Sequence, residues 1–176
     1  MSACRQNYHE ECEAGVNKQI NMELYQSYAF HSIAWYFDRD DVALPGFHKY
    51  FQRYAREERE HAEELMEYQN KRGGRIMLQD IKKPTKDEWG TALECLEYAL
   101  ELEKQHYNGL MRLHGLAEKH GDKEMMNFIE DEFLHEEVEF MKDLADHIAS
   151  MKRVGPGLGV YTYDREVMED LGNKSD

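Results

Sequence analysis

Apolar residues recur at steps of three and four along four stretches of the chain, the spacing of one face of an α-helix. The first stripe runs Val16, Ile20, Glu23, Ser27, Phe30, Ala34, Phe37, and the second Phe47, Phe51, Tyr54, Glu58, His61, Leu65, Tyr68. The third is Leu93, Leu96, Leu100, Glu103, Tyr107, Leu110, and the fourth Phe133, Glu137, Phe140, Leu144, Ile148. Helix breakers cluster between the stripes, at Asp38-Arg-Asp-Asp with Pro45-Gly46, at Arg72-Gly73-Gly74, at Lys83-Pro84, at Trp89-Gly90, at His120-Gly121-Asp122 and at Gly155-Pro-Gly-Leu-Gly159. The pattern predicts helices over about 10–38, 46–72, 92–120 and 123–152, and a short one near 161–170. No low-complexity tract or linker divides residues 1–176, which are expected to form one domain.

The connection from Gly73 to Gly90 is long for a loop inside a compact domain. A helix of about 25 residues spans about 38 Å, and an extended connection of this length reaches up to about 60 Å. It can therefore run the length of the second helix and start the third at the same end. The expected fold class is all-α, a four-helix bundle with one long crossover loop and a short C-terminal fifth helix.

Each stripe is interrupted near its middle by one glutamate: Glu23, Glu58, Glu103 and Glu137. Four carboxylates at one depth of an apolar core are prohibitively costly unless paired, and no Arg or Lys lies on the stripes to pair them. Bound cations resolve the conflict. With carboxylates and one imidazole (His61, three residues after Glu58) and no thiolate, the donors suit Fe(II), Mn(II) or Zn(II) and not Cu(I). Four carboxylates neutralise two divalent ions, and Glu58 is placed to bridge them. Glu103-Lys-Gln-His106 repeats the Glu-x-x-His spacing. The stripe gives its core position to Tyr107 without excluding His106, which stays outside the expected ligand set.

Composition narrows the function further. Lys and Arg number 22 against 36 Asp and Glu, for a net charge of -14, which argues against a nucleic-acid partner and suits a cationic one. Three cysteines without C-x-x-C spacing read as reduced thiols. The N-terminus has no apolar signal region, and the apolar stretch from Leu24 to Phe37 is too short and polar to span a membrane. A cytoplasmic protein is expected.

The segments RQNYHEE, NKQINMELYQSY, FDRDDVALPGF, EEREHAEELMEYQNKRGGRI, LQDIKKP, ALELEKQ and NFIEDEF resemble ferritin, specifically the iron-oxidising heavy-type chain of animal ferritins, and the likeness extends from Arg5 to Leu171. The resemblance implies a shell of 24 subunits, in which two Fe(II) per subunit are oxidised by dioxygen or peroxide and ferric mineral is laid down inside. Other divalent metals can substitute at the oxidation site. By the same resemblance, Glu23, Glu58 and His61 correspond to the first iron position, and Glu58 and Glu103 to the second, with Glu137 where vertebrate heavy chains usually carry glutamine. Glu57, Glu60 and Glu63 correspond to the patch associated with mineral nucleation, and His114, Asn127 and Glu130 to the three-fold channel through which iron enters.

Three departures from the family stand out. Phe30 replaces a tyrosine usual beside the iron pair. Asn127 replaces a channel aspartate, with Asp131 and Glu132 nearby to compensate. Thr162 and Glu166 fall where leucine and histidine usually line the four-fold channel. The apolar Tyr161, Tyr163, Val167 and Met168 of the last segment are expected to be left uncovered by the bundle and held by symmetry-related copies. Two other functions compete with iron oxidation and storage. A catalytically inert cage subunit is disfavoured because Glu23, Glu58, His61 and Glu103 are all present. A non-storage di-iron enzyme usually carries a second Glu-x-x-His on the fourth helix, where this chain has Phe140.

Overall fold

The computed structural model describes residues 2–173 and contains no strand among them. Helices α1 (Glu10–Phe37), α2 (Pro45–Lys71) and α3 (Ala92–Lys119) are three rods of a four-helix bundle. The fourth is α4 (Lys123–Ile129) continued by α5 (His135–Val154) through a π-turn at Glu130–Leu134. A short tail follows, comprising α6 (Leu158–Tyr163), a second π-turn (Asp164–Met168) and α7 (Glu169–Gly172).

The helix ends show why the rods begin where they do. The His9 ring accepts from the Glu11 N–H, and acidic Glu10, Glu11 and Glu13 occupy the first turn of α1, where the helix dipole favours them. Thr91 and Glu94 form a reciprocal capping box at α3. Asp122 accepts from the Met125 N–H at α4. Pro45 supplies a preset φ at the start of α2, but no neighbouring side chain caps that helix. Its cap comes from far along the chain: Asp164 Oδ1 accepts from the Phe47 N–H at 2.8 Å.

The crossover runs along α1 as its length requires. Asn17 clamps its first part, donating to the Arg75 carbonyl at 2.9 Å and accepting from the Met77 N–H at 3.0 Å. Near its far end Trp89 Nε1 donates to Ser32 Oγ and Tyr36 donates to the Gly90 carbonyl. The turn into the loop is tight. Gly73 has φ +75, and a Cβ there would sit 2.4 Å from Ser2 Oγ and 3.0 Å from the Arg5 nitrogen.

The π-turn has a visible cause. Met125, Ile129, Phe133 and Glu137 are all buried, at three successive steps of four. On a regular helix those steps drift by about 120°. A π-turn absorbs the surplus residue and returns the face to the core. Without it, Glu137 would point away from the other glutamates.

Two apolar clusters fill the bundle, one around Phe30, Phe37, Phe47, Phe51, Leu96 and Leu144, the other around Val16, Ile20, Leu65, Leu110, Ile129 and Phe133. A polar layer lies between them. Cys4, Cys12 and Cys95 are free thiols, the last two buried. No described helix is long and apolar enough to cross a membrane.

The tail corrects one expectation. Met168 is fully buried in the first cluster and Tyr163 is half-buried against it, while Tyr161 is exposed. Lys49 pairs with Glu169 at 3.0 Å, and Arg53 donates to the Leu171 carbonyl. The bundle's own second helix therefore holds the segment. Gly46 permits the contact: a Cβ there would lie 2.1 Å from the Asp164 carbonyl oxygen. Gly46→Ala is expected to lift the tail, lowering stability by about 1–3 kcal/mol while the bundle stays helical. Limited proteolysis should then cut near residue 158, and the melting temperature should fall by roughly 2–4 °C per kcal/mol.

Candidate metal centre

The polar layer is built by one buried glutamate from each rod. Glu23 and Glu103 are fully buried, and Glu58 and Glu137 are 2 % exposed. His106, also fully buried, stands among them. Its Nε2 is 2.6 Å from Glu23 Oε1, and its Nδ1 is 3.1 Å from Glu137 Oε1 and 3.6 Å from Glu103 Oε2. Ligand atoms of Glu23, Glu58 and His106 lie within 4.8 Å of one another, as do those of Glu103, His106 and Glu137.

His61 stands at the rim. Its Nδ1 is 3.8 Å from Glu58 Oε2, and its Nε2 the same distance from Glu136 Oε2. A cleft of about 210 Å³ opens here, lined by Tyr54, Glu57, Glu58, His61, Glu136 and Glu137 among others. It links the buried layer to the acidic surface of α2 and α5.

Two amides position the carboxylates. Gln19 Nε2 donates to Glu23 Oε1 and Gln26 Nε2 donates to Glu103 Oε1, both at 3.0 Å. The remaining atoms are orphaned: Glu23 Oε2, Glu58 Oε2, Glu103 Oε2, Glu137 Oε2, His61 Nδ1 and His106 Nδ1 are buried without a hydrogen-bond partner. Six unsatisfied lone-pair or proton sites in one layer would be costly in a finished core. Oxygen and imidazole donors turned towards one another fit divalent metal ions.

The electrostatics are those of a centre loaded with protons. Burial pushes Glu58 up to about 7 and, with the charge of Glu58 beside it, holds Glu103 well above its ordinary value. Burial would lower His61, but Glu58 outweighs it and brings the ring up to about 10. Burial likewise opposes charge on His106, yet Glu23, Glu103 and Glu137 raise it well above the ordinary histidine value. Against its own burial, Glu23 is held low by His106. Metal ligands must shed these protons, so raising the pH strips the competitor and tightens metal binding. Redox-inert Zn(II) should therefore bind progressively more tightly from pH 6 to pH 8 and release protons into a lightly buffered solution. A flat affinity with no proton release would contradict this charge arrangement.

Two of the positions at which the structure departs from the expected stripes lie in or beside the polar layer. On α1 the buried residue after Glu23 is Gln26, while Ser27 is half-buried and donates to the Ala55 carbonyl. On α3 His106 is buried where Tyr107 was expected, and Tyr107 is half-buried. Glu103 to Leu110 can be stepped as three then four or as four then three, and hydrophobicity alone does not choose. The signal available was the second Glu-x-x-His.

The other predicted residues lie outside the polar layer, most of them exposed and Glu57 and His114 half-buried. Glu57 pairs with Arg53 and Glu63 with Arg59, each at 3.0 Å, and Glu60 is exposed. His114 Nε2 lies 2.6 Å from Glu130 Oε1, with Asn127, Asp131 and Glu132 exposed nearby. Thr162 and Glu166 are exposed. Phe30 is fully buried, its ring 6.0 Å from Phe51, so that position brings no hydroxyl to the layer.

Comparison with known proteins matches residues 13–154 to the ferritin-like domain family. The chain is 61 % identical to a soma ferritin of Lymnaea stagnalis over 168 residues, covering 96 % of this chain and 97 % of that protein. It is 54 % identical to a ferritin-1 heavy chain of Schistosoma mansoni over 168 residues, with the same coverage of both chains. A ferritin heavy chain of Echinococcus granulosus is 52 % identical over 169 residues, 96 % of this chain and 98 % of that one.

Proposed function

The chain belongs to the ferritin family, and from that premise we propose that it is an iron-oxidising storage subunit. Its 176 residues act as one domain within a cytoplasmic shell of 24 copies. Two Fe(II) enter the buried layer and are oxidised to Fe(III), with dioxygen or peroxide taking the electrons. The ferric product passes to the cavity and is stored as mineral.

The observation that carries this reading is the layer of orphaned carboxylate and imidazole atoms inside an otherwise apolar bundle. Glu23 and His61 serve the first ion, Glu103 and Glu137 the second, and Glu58 both. Oxidation raises the charge on each ion, and a pocket with four carboxylates favours the more highly charged product. Glu137 adds a full negative charge where an amide would offer only a dipole. The cleft beside His61 opens toward Glu57, Glu136 and Glu139, an acidic route by which a cation can leave. Glu57, Glu60 and Glu63 then collect iron for mineral growth. His114, Glu130 and Asn127 line the inlet, where negative potential concentrates cations.

The test is to add Fe(II) aerobically while measuring particle mass and oxidation rate together. A large hollow particle with rapid oxidation is expected. A large particle that oxidises no faster than free iron would mark an inert cage subunit, and a small oligomer that oxidises iron would mark a non-storage enzyme.

A further inference from the structure

The buried ring of His106 has no part in the ligand set just described, yet it touches more of the polar layer than His61 does. We propose that His106 is a ligand of the second ion, binding through Nδ1 beside Glu103 and Glu137. This rests on the di-iron reading and gives each ion one nitrogen donor: His61 after Glu58, and His106 after Glu103, in the same Glu-x-x-His spacing.

The assignment of nitrogen follows from what each one faces. Nε2 lies 2.6 Å from Glu23 Oε1, a short contact in which the ring N–H donates to the carboxylate. That bond keeps the proton on Nε2, so it is the Nδ1 proton that the ring gives up when a metal takes its place. Nδ1 is buried, has no hydrogen-bond partner, and lies between Glu137 Oε1 and Glu103 Oε2. Metal-bound imidazoles commonly give their other N–H to a carboxylate, which sets ring orientation and strengthens the donor. Here that carboxylate, Glu23, is itself a ligand of the first ion. The ring therefore joins the two positions by a path separate from the Glu58 bridge.

A purely structural His106, present only to fill space, would leave an unsatisfied nitrogen in a fully buried position. Gln26 reinforces the metal reading, since its amide holds Glu103 Oε1 and leaves Oε2 turned toward the ring.

Two measurements decide the matter. The first is the crystal structure of the unmodified protein soaked anaerobically with Zn(II). The proposal expects two ions per subunit, the second about 2.1 Å from His106 Nδ1. Two ions with both more than about 3 Å from Nδ1 would overturn it while leaving the di-iron reading intact. No ion pair at all would overturn both.

The second is an anaerobic Fe(II) titration of His106→Leu and His106→Gln beside the parent. Second-site affinity is expected to fall by about 100-fold or more, with the first site weakened less because only the support of Glu23 is lost. Unchanged affinity at the second site in both variants would overturn the proposal. If a variant fails to fold, the soaked structure of the unmodified chain gives the answer alone.

Discussion

Glu58→Ala is expected to abolish rapid iron oxidation while leaving the shell assembled. Loss of an outer hydrogen-bond partner of a metal ligand typically costs about 10- to 100-fold. Removing the carboxylate proposed to serve both ions should cost more, on the order of 1,000-fold in initial rate (about 4 kcal/mol of barrier). The apoprotein should not suffer in proportion. Glu58 is 2 % exposed, its Oε2 has no hydrogen-bond partner, and burial already pushes its carboxyl up to about 7. Its removal eases crowding with Glu23 and Glu103 but also takes away the partner that keeps the His61 ring charged, so the melting temperature without iron should change little. His61→Ala is expected to be milder, because His61 sits at the rim and is proposed to serve one ion. Stopped-flow oxidation and calorimetry on the same samples separate the two effects. Wild-type oxidation in Glu58→Ala would remove the bridging role.

Arg72→Ala is expected to be the most damaging single change away from the polar layer. Its guanidinium reaches both oxygens of Asp122, at 3.0 and 2.8 Å, together with Glu124 Oε2 and the carbonyl of Asn7. It also lies 4.7 Å from the centre of the Tyr8 ring. Four pieces of chain meet at this side chain: the N-terminal segment, the end of α2, the turn after α3 and the start of α4. Asp122 is 1 % exposed. Removing one partner of a buried ion pair leaves the other charge stranded, at a cost of about 3–5 kcal/mol. The lower end applies here, since Asp122 keeps its bond from the Met125 N–H. Denaturant unfolding should show a lower midpoint with an unchanged slope, and iron oxidation per folded subunit should be retained. Stability within about 0.5 kcal/mol of the parent would mean the network is superficial.

The rods were legible because their breakers are strong and clustered. The expected span of 10–38 became Glu10–Phe37, and that of 46–72 became Pro45–Lys71. The crossover was legible from its length alone. The four glutamates stood out because a charge within an apolar stripe is conspicuous. Gln26 and His106 did not, because a step of three and a step of four serve helical periodicity equally well. Only packing selects between Ser27 and Gln26, or between Tyr107 and His106. The docking of the tail was hidden for another reason. Asp164 caps α2 by accepting from Phe47, 117 positions earlier in the chain, and no local pattern announces so distant a partner. The π-turn lies between these extremes, since three successive steps of four are written in the chain and need some remedy.

The crossover along α1 has a consequence for how the molecule comes together. Short turns join α1 to α2 and α3 to α4, so each pair can zip up as a helical hairpin through contacts close in sequence, the kind that form fast. The long strap delays the meeting of the two hairpins until a larger loop is closed. Each hairpin carries two of the four glutamates, Glu23 with Glu58 and Glu103 with Glu137. The proposed metal pocket therefore exists only once the halves have docked, and its four carboxyls meet across that seam. An ion held there is a cross-link between halves that the chain itself joins only by the strap. At a hundredfold excess over its dissociation constant, it adds about 2.7 kcal/mol to the docked state. If the proposed site holds iron, its supply sets how tightly the two hairpins stay closed, and a subunit without iron is expected to exchange its seam amides sooner than those at the centre of either hairpin.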